Sequence, residues 1–457
     1  MSGAWERALA GWRAAVGPDQ VHTRGPVWQR FNAGTYPGGW NSAAVIRPAS
    51  VREAARCLRV AERCGVPWQA VSTGRNWGYG GARPQLPDTA VFALDRMAAV
   101  QVLDERTGHV RVRPGSTFGA LADRLGRAGG RWWPPVVGAG PDVSVLGNVL
   151  QDGIAIGPYR RMACHVIEAR GLSGDGRPAR ARCTGPSTAR RLREAGLAMV
   201  TDLTLRLHPA PAVRQHLLYA LPDDVELDDV LAAGTRMLRS GLKTDLDVLS
   251  DHRIAAQLGV GAAASGDGPV SRARLATLLP VPLTGRWSAM AGIWGDDRAE
   301  LAAVRAEVER AWAPFADAAV DGPVEEGYET PDDTGLRTAY WCRPDGMPTR
   351  PDPAMDGCGV LWFAPALPPG APAGRAIEVW EGILRAHRLA PCWALRLDDS
   401  RVIAVLALLW DRSVPGADAR AVACFHALEE AARGFGVRPY RRPTGLSGGT
   451  PSEWERC

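Results

Sequence analysis

The chain alternates short, continuous apolar runs with longer stretches whose apolar residues recur every three or four positions, and the arrangement of the two patterns changes near position 210. Ala43–Ile46 and Val66–Val71 are short enough for buried strands. Between them, Val51, Ala54, Ala55, Leu58 and Ala61 keep helical spacing. Ser50 stands just ahead of that stretch and Glu53 three positions on, a capping box that predicts a helix over Val51–Cys64. Ala90–Leu94, Ala99–Leu103 and His109–Arg113 read as further strands. Ser116 is placed to cap a helix bearing Leu121 and Leu125, which Gly129 and Gly130 close. His165–Leu172 and Met199–Leu207 are strands, the second running into His208–Pro211, a boundary signal.

Beyond that boundary, strands are expected at His216–Leu221, Asp245–Leu249, Trp287–Trp294 and Gly359–Pro365. Helices are expected at Asp223–Arg239, Arg298–Trp312, Ala373–His387 and Ala417–Arg433. Cys392–Leu397 and Val402–Leu409 form a hairpin across Asp398–Ser400. This order predicts an antiparallel sheet backed by helices, an α+β arrangement.

The stretch with the strongest chemical signal is Ser72–Gly81, STGRNWGYGG, directly after a strand. Gly74, Gly78, Gly80 and Gly81 free the backbone for positive φ and close approach, and successive amides in such a turn form an anion-binding nest. A plain surface turn explains the same glycines. Val143–Gly157, VSVLGNVLQDGIAIG, is small and apolar, with glycines that let backbone lie close to a flat or charged partner.

Composition narrows the picture. No apolar run reaches the roughly 18 residues of a membrane span. The first residues, MSGAWERALAGWRAAV, read as an amphipathic helix rather than a signal peptide, so a cytoplasmic protein is expected. The formal charge is +5 and Lys243 is the only lysine. The arginines are spread and interleaved with acids, a composition bias that argues against a nucleic-acid partner. Nine cysteines show no CxxC pair and no zinc spacing, so buried thiols and no metal are expected. Seventeen tryptophans suit either an aromatic-rich pocket or a dense core.

Six separated segments, in order, resemble the flavoprotein oxidases of the vanillyl-alcohol oxidase and p-cresol methylhydroxylase (PCMH) family. They are AAVIRPASVREAARCLRVAERCGVPW, VSTGRNWGYGGARP, VRVRPGSTFGALADRL, VSVLGNVLQDGIAIGPY, GLAMVTDLTLRLHPAP and GVRPYRRP. The resemblance implies a two-domain α+β fold: a PCMH-type FAD-binding domain over residues 1–211, a substrate cap over 212–430, and a tail, 431–457, returning to the first domain. It implies that Ser72, Thr73, Gly74, Arg75, Asn76, Trp77 and Gly78 wrap the FAD pyrophosphate. Pro114, Gly115 and Ser116, with Ser144, Gly147 and Asn148, would lie along the cofactor, and Val200 would reach the pyrimidine edge of its ring.

Family members acting on para-substituted phenols hold the phenolate with two tyrosines and an arginine, here matched by Tyr79, Tyr440 and Arg441. A guanidinium keeps its charge and two phenolic donors complete the oxyanion's hydrogen bonding, which promotes hydride loss to flavin N5. Packing of Tyr79 under the ring and a surface ion pair for Arg441 is the structural alternative. A small-molecule substrate with dioxygen as acceptor is expected, and a homodimer is compatible with the resemblance.

Three departures from the family stand out. Val360 occupies the position of the histidine that binds flavin covalently in relatives, so a non-covalent FAD is expected, with Cys358 an improbable substitute. The segment Pro158–Tyr159–Arg160–Arg161–Met162 puts Arg161 where relatives carry a catalytic aspartate; it either binds an anionic substrate group or turns to solvent. The tail stops after SGGTPSEWERC, where relatives continue with a segment that covers the flavin, so a more open site or one covered by a partner subunit is expected. Two other readings follow from these losses: a degraded homologue acting in binding or assembly, and a flavoenzyme acting on a non-phenolic intermediate.

Overall fold

The computed structural model describes residues 3–182, 191, 192, 194–260, 269–280, 283 and 285–446. Three sheets organise it. The first has four strands in the order Val21–His22, Ala44–Ile46, Ala90–Ala93, Trp68–Val71, with the last three parallel. A parallel pair needs a crossover, and the helix Val51–Cys64 provides it between Ala44–Ile46 and Trp68–Val71. The capping box forms: Ser50 Oγ accepts from Glu53 N at 3.2 Å, and Glu53 reaches back to Ala49 N at 2.8 Å. The helix buries Ala54, Cys57, Leu58 and Ala61, and the N-terminal helix Gly3–Val16 packs there, its Trp12 Nε1 donating to Cys57 O.

The second sheet is antiparallel and five-stranded, ordered Val100–Asp104, His109–Val112, Met199–Arg206, Val166–Leu172, Pro178–Arg182. Beside it lies the helix Phe118–Arg127, where the expected cap is corrected. Thr117 Oγ1, not Ser116, accepts from Ala120 N; Ser116 Oγ instead bonds the main chain of Ala99 at both N and O. Two adjacent hydroxyls compete for one cap, and the one already satisfying a strand end cannot also serve the helix.

The third sheet has ten antiparallel strands. Its centre is Val213–Leu221, Trp287–Gly295, Thr244–Ser250, Cys392–Leu397 and Val402–Asp411, side by side. One face carries Leu246, Val248, Leu395 and Leu397 and packs on the helices Leu227–Leu238, Arg298–Trp312, Ala373–Ala386 and Ala417–Gly434. Strand alternation therefore sends Asp245, Asp247 and Arg396 to the other face. Cys358–Phe363 pairs with Val402–Asp411 near one edge.

The tail joins this sheet rather than the first two. Arg438–Pro439 pairs with Pro365–Leu367, after which Thr444 N donates to Tyr79 O and Tyr36 Oη donates to Thr444 O. The last eleven residues, 447–457, which are the whole segment SGGTPSEWERC, lie outside the described residues. Among the described residues no helix is long and apolar enough to cross a membrane.

Candidate functional site

The glycine loop Ser72–Gly81, the short helix Val145–Leu150, the inner face of the large sheet and the tail enclose a cavity of about 1100 Å³. That is at the upper end of, or above, the roughly 300–1,000 Å³ of ordinary small-molecule sites.

The loop is pinned from three sides. Tyr79 N and Gly81 N both donate to Asn76 O, at 3.1 and 3.0 Å, folding the chain back on itself. Gly78 has φ +70°, and a Cβ there would lie 2.2 Å from the Trp362 ring. Gly80 has φ +119°, with Thr444 2.6 Å from a would-be Cβ. These two glycines thus admit the sheet and the tail against the loop. Trp362 completes the clasp by donating Nε1 to Trp77 O at 2.9 Å and its main-chain N to Gly78 O at 3.2 Å.

Of the residues expected at the cofactor, Ser72, Thr73, Gly74, Arg75, Asn76 and Trp77 line the cavity, as do Ser144, Gly147 and Asn148. Thr73 Oγ1 accepts from Ser144 N at 3.2 Å, tying the loop to the short helix. Asn148 Oδ1 is buried without a partner, turned against Gly153. Size and amide-rich lining fit FAD. Gly78, Pro114, Gly115, Ser116 and Val200 are not among the lining residues and support the wall instead. Pro114 O accepts from Ser144 Oγ, Gly115 admits the Asp95 carbonyl, and Val200 pairs with Gly171.

Tyr79, Tyr440 and Arg441 all line the cavity, brought together from loop and tail. The Arg441 guanidinium carbon lies 4.8 Å from the Tyr79 ring centre and 5.9 Å from that of Tyr440. Burial pushes the Tyr79 phenol up to about 12 despite Arg441 beside it. Burial raises Tyr440 beyond its ordinary value as well, so both hydroxyls keep their protons near neutral pH. Tyr440 Oη donates to Asp152 O. Arg441 Nε is buried without a partner, and its contact with Asn76 Oδ1 is long, at 3.5 Å.

Arg161 does not line the cavity. Its neighbour Arg160 is the one driven into the protein, buried against Asp247 at 3.0 Å, Asp245 at 3.3 Å and the Leu397 carbonyl at 2.9 Å. Burial alone would raise the Asp247 carboxyl, but Arg160 and Arg396 hold it below its usual range. Two further cations on the sheet side of the cavity, Arg253 and Arg396, escaped the sequence reading. Arg396 carried a signal: it alternates with Leu395 and Leu397 in a strand, which puts one charge on an otherwise buried face. Arg253 sits in the first turn of Asp251–Leu258, a helix missed because it is short and begins where a strand ends, with Ser250 as its cap. Val360 lines the cavity at the position of the missing histidine. Cys358 does not, and burial pushes its thiol up to about 12.

Residues 42–182 match the FAD binding domain family. The chain is 28% identical to the 1'-carboxy-chondrochloren decarboxylase of Chondromyces crocatus, over 95% of this chain and 90% of that protein. It is 22% identical to the flavoprotein subunit of 4-cresol dehydrogenase [hydroxylating] from Pseudomonas putida, over 96% and 88%. Its fold matches a crystal structure of p-cresol methylhydroxylase with substrate bound, TM-score 0.83 at 18% identity, covering 97% of this chain and 90% of that one. An FAD binding domain over residues 42–182 is thus set within a fold like that of p-cresol methylhydroxylase, and FAD is the cofactor.

Proposed function

We propose that this flavoprotein oxidises a para-substituted phenol held as its phenolate by Tyr79, Tyr440 and Arg441. The observation that carries the reading is the meeting of two buried, protonated phenols around a guanidinium that lacks an anion among the described residues, on the wall of the FAD cavity. An oxyanion there gains a fixed positive charge and the Tyr79 hydroxyl, and the Tyr440 hydroxyl by release from Asp152 O. Charge held at the oxygen raises electron density at the para carbon, where the oxidisable bond lies. FAD, when bound, supplies the two-electron acceptor. Dioxygen as the terminal acceptor belongs to this reading, and peroxide formed in step with phenol consumption tests it.

FAD is held non-covalently in this proposal, supported by Val360 on the cavity wall and by Cys358 off it with its thiol protonated. The division into residues 1–211 and 212–430 is supported by the sheets, two being built from residues 21–206 and the third from 213–439. The return of the tail is supported by Thr444 N, which donates to Tyr79 O after Arg438–Pro439 has paired in the third sheet. Acid precipitation of the yellow protein should leave all flavin in the supernatant, whereas a yellow pellet rejects the non-covalent claim. Tyr440→Phe and Arg441→Ala should lower kcat/KM for phenols with FAD content retained; unchanged turnover in both rejects the phenolate site.

A second reading, favoured by the relative named as a decarboxylase, is that oxidation goes together with loss of a carboxyl group as carbon dioxide. Carbon dioxide release of this kind asks for no protein carboxylate to move a proton, in keeping with Arg161 where relatives carry the acid.

A further inference from the structure

A guanidinium removed from water is costly unless an anion meets it. On the sheet side of the cavity three arginines, 160, 253 and 396, gather around two carboxylates, Asp245 and Asp247. Arg160 engages both, and Arg396 reaches Asp247 at 3.6 Å. Arg253 is left over. It is nine-tenths buried, at 9% exposure, and its Nε and Nη1 have no partner among the described residues. The Cys392 thiol is its hydrogen-bond partner, and Asp251, two positions away, is committed to His252 and Arg272. The Arg253 guanidinium carbon lies 5.6 Å from the centre of the Trp362 ring, a cation–π contact that holds a flat donor fork in place. Trp362 is itself fixed to the glycine loop, so this fork belongs to a rigid wall.

We propose that Arg253, with Arg396 beside it, is a carboxylate subsite, and that the natural substrate is a phenol whose para substituent carries a carboxylate. The assignment rests on the phenolate reading for the substrate's other end. One surplus positive charge calls for one negative charge, which a carboxylate carries and a phosphate exceeds. Arg253 lines the cavity with no carboxylate hydrogen-bonded to it among the described residues, so a carboxylate of the substrate can take up its charge. The apolar neighbours Val360, Val405, Leu336 and Ala339 suit a hydrocarbon linker between the two anchored ends.

The test uses the FAD-loaded protein and two probes of matched length, 3-(4-hydroxyphenyl)propanoate and 4-propylphenol. Binding is read from the change in flavin absorbance on titration and from calorimetry, so turnover is not needed. Wild type should bind the acid at least tenfold more tightly than the alkylphenol. Arg253→Met should erase that preference while leaving affinity for 4-propylphenol and FAD content unchanged; Arg253→Lys should keep only part of it. Should Arg253→Met fail to hold FAD, Arg253→Lys decides by the same criterion. Equal binding of the two probes by wild type, or no binding of the acid, overturns the proposal. So does an equal loss for both probes in the Arg253 variants, which would assign Arg253 to the flavin or the fold. Tyr440→Phe should weaken both probes alike. No effect there rejects the phenolate reading and leaves the carboxylate preference as a separate measurement.

Discussion

Two walls of one cavity handle buried arginine differently. On the sheet wall, Arg160 is met by Asp245 and Asp247 and by the Leu397 carbonyl, so its charge is spent inside the protein. On the loop-and-tail wall, Arg441 lies among tyrosine rings with its Nε unpartnered and no carboxylate in range among the described residues. Arg160 and Arg396 together balance the two carboxylates, whereas Arg441 has no carboxylate to balance it among the described residues. The lesson is that burial does not separate a structural arginine from a binding one; the count of nearby anions does. Arg253 stands on the structural wall but by that count belongs with Arg441.

The contrast can be broken by substitution. Arg160→Met should be the most damaging to stability, since it strands two buried carboxylates. Loss of about 3–5 kcal/mol is expected from chemical denaturation, with FAD stabilising what remains. Arg441→Ala should act on chemistry instead: kcat/KM for phenols should fall by about 10²–10³, as for other oxyanion donors, with a denaturation midpoint close to wild type. If both substitutions unfold the protein equally, the distinction fails. Gly78→Ala probes where the walls touch. With φ +70° and the Trp362 ring 2.2 Å from the new Cβ, it should cost about 1–3 kcal/mol and loosen flavin retention. Ser50→Ala, far from either wall, should cost about 1 kcal/mol through the lost helix cap and leave turnover unchanged.

The smallest effect concerns alkaline pH. Tyr79 is held at about 12 in the folded protein against an ordinary 10.0 in the unfolded chain. Its neutral form is therefore favoured by folding: the contribution is complete below pH 10 and is lost as pH rises toward 12. Tyr440 is shifted the same way. Denaturation midpoints should be flat around neutrality on their account and decline above pH 10, less steeply in Tyr440→Phe. A rise in stability there would contradict the burial of these phenols.

Legibility in the sequence differed between the walls for a physical reason. The helix Val51–Cys64 was readable to the residue because a capping box and a left-handed Gly65 mark its ends locally. The loop Ser72–Gly81 was readable because its conformation demands glycine. Arg438–Pro439 and the residues after it were placed only through the resemblance, since nothing local says that Tyr440 meets Tyr79. The sheet wall had weaker marks. Asp245, Asp247 and Arg396 alternate with apolar residues, and period two says they share a face, but the register Asp247↔Arg396 is a non-local pairing. In Arg160–Arg161 the two side chains are chemically identical, and only the position of the Asp245–Asp247 strand decides which one is buried.

The amino-acid sequence alone determined the α+β class, the glycine loop, the capped crossover helix, the absence of a histidine at Val360 and the candidate trio Tyr79, Tyr440 and Arg441. Each follows from local conformational preference or from residue identity at a motif position. Only the tertiary structure decided that Gly78 and Gly80 make room for Trp362 and Thr444, that Ser116 gives up the helix cap to Thr117, and that Arg160 is neutralised while Arg253 is not. Those outcomes depend on which distant groups share a low-dielectric space, and charge balance in that space is a property of the packed chain rather than of any stretch of it.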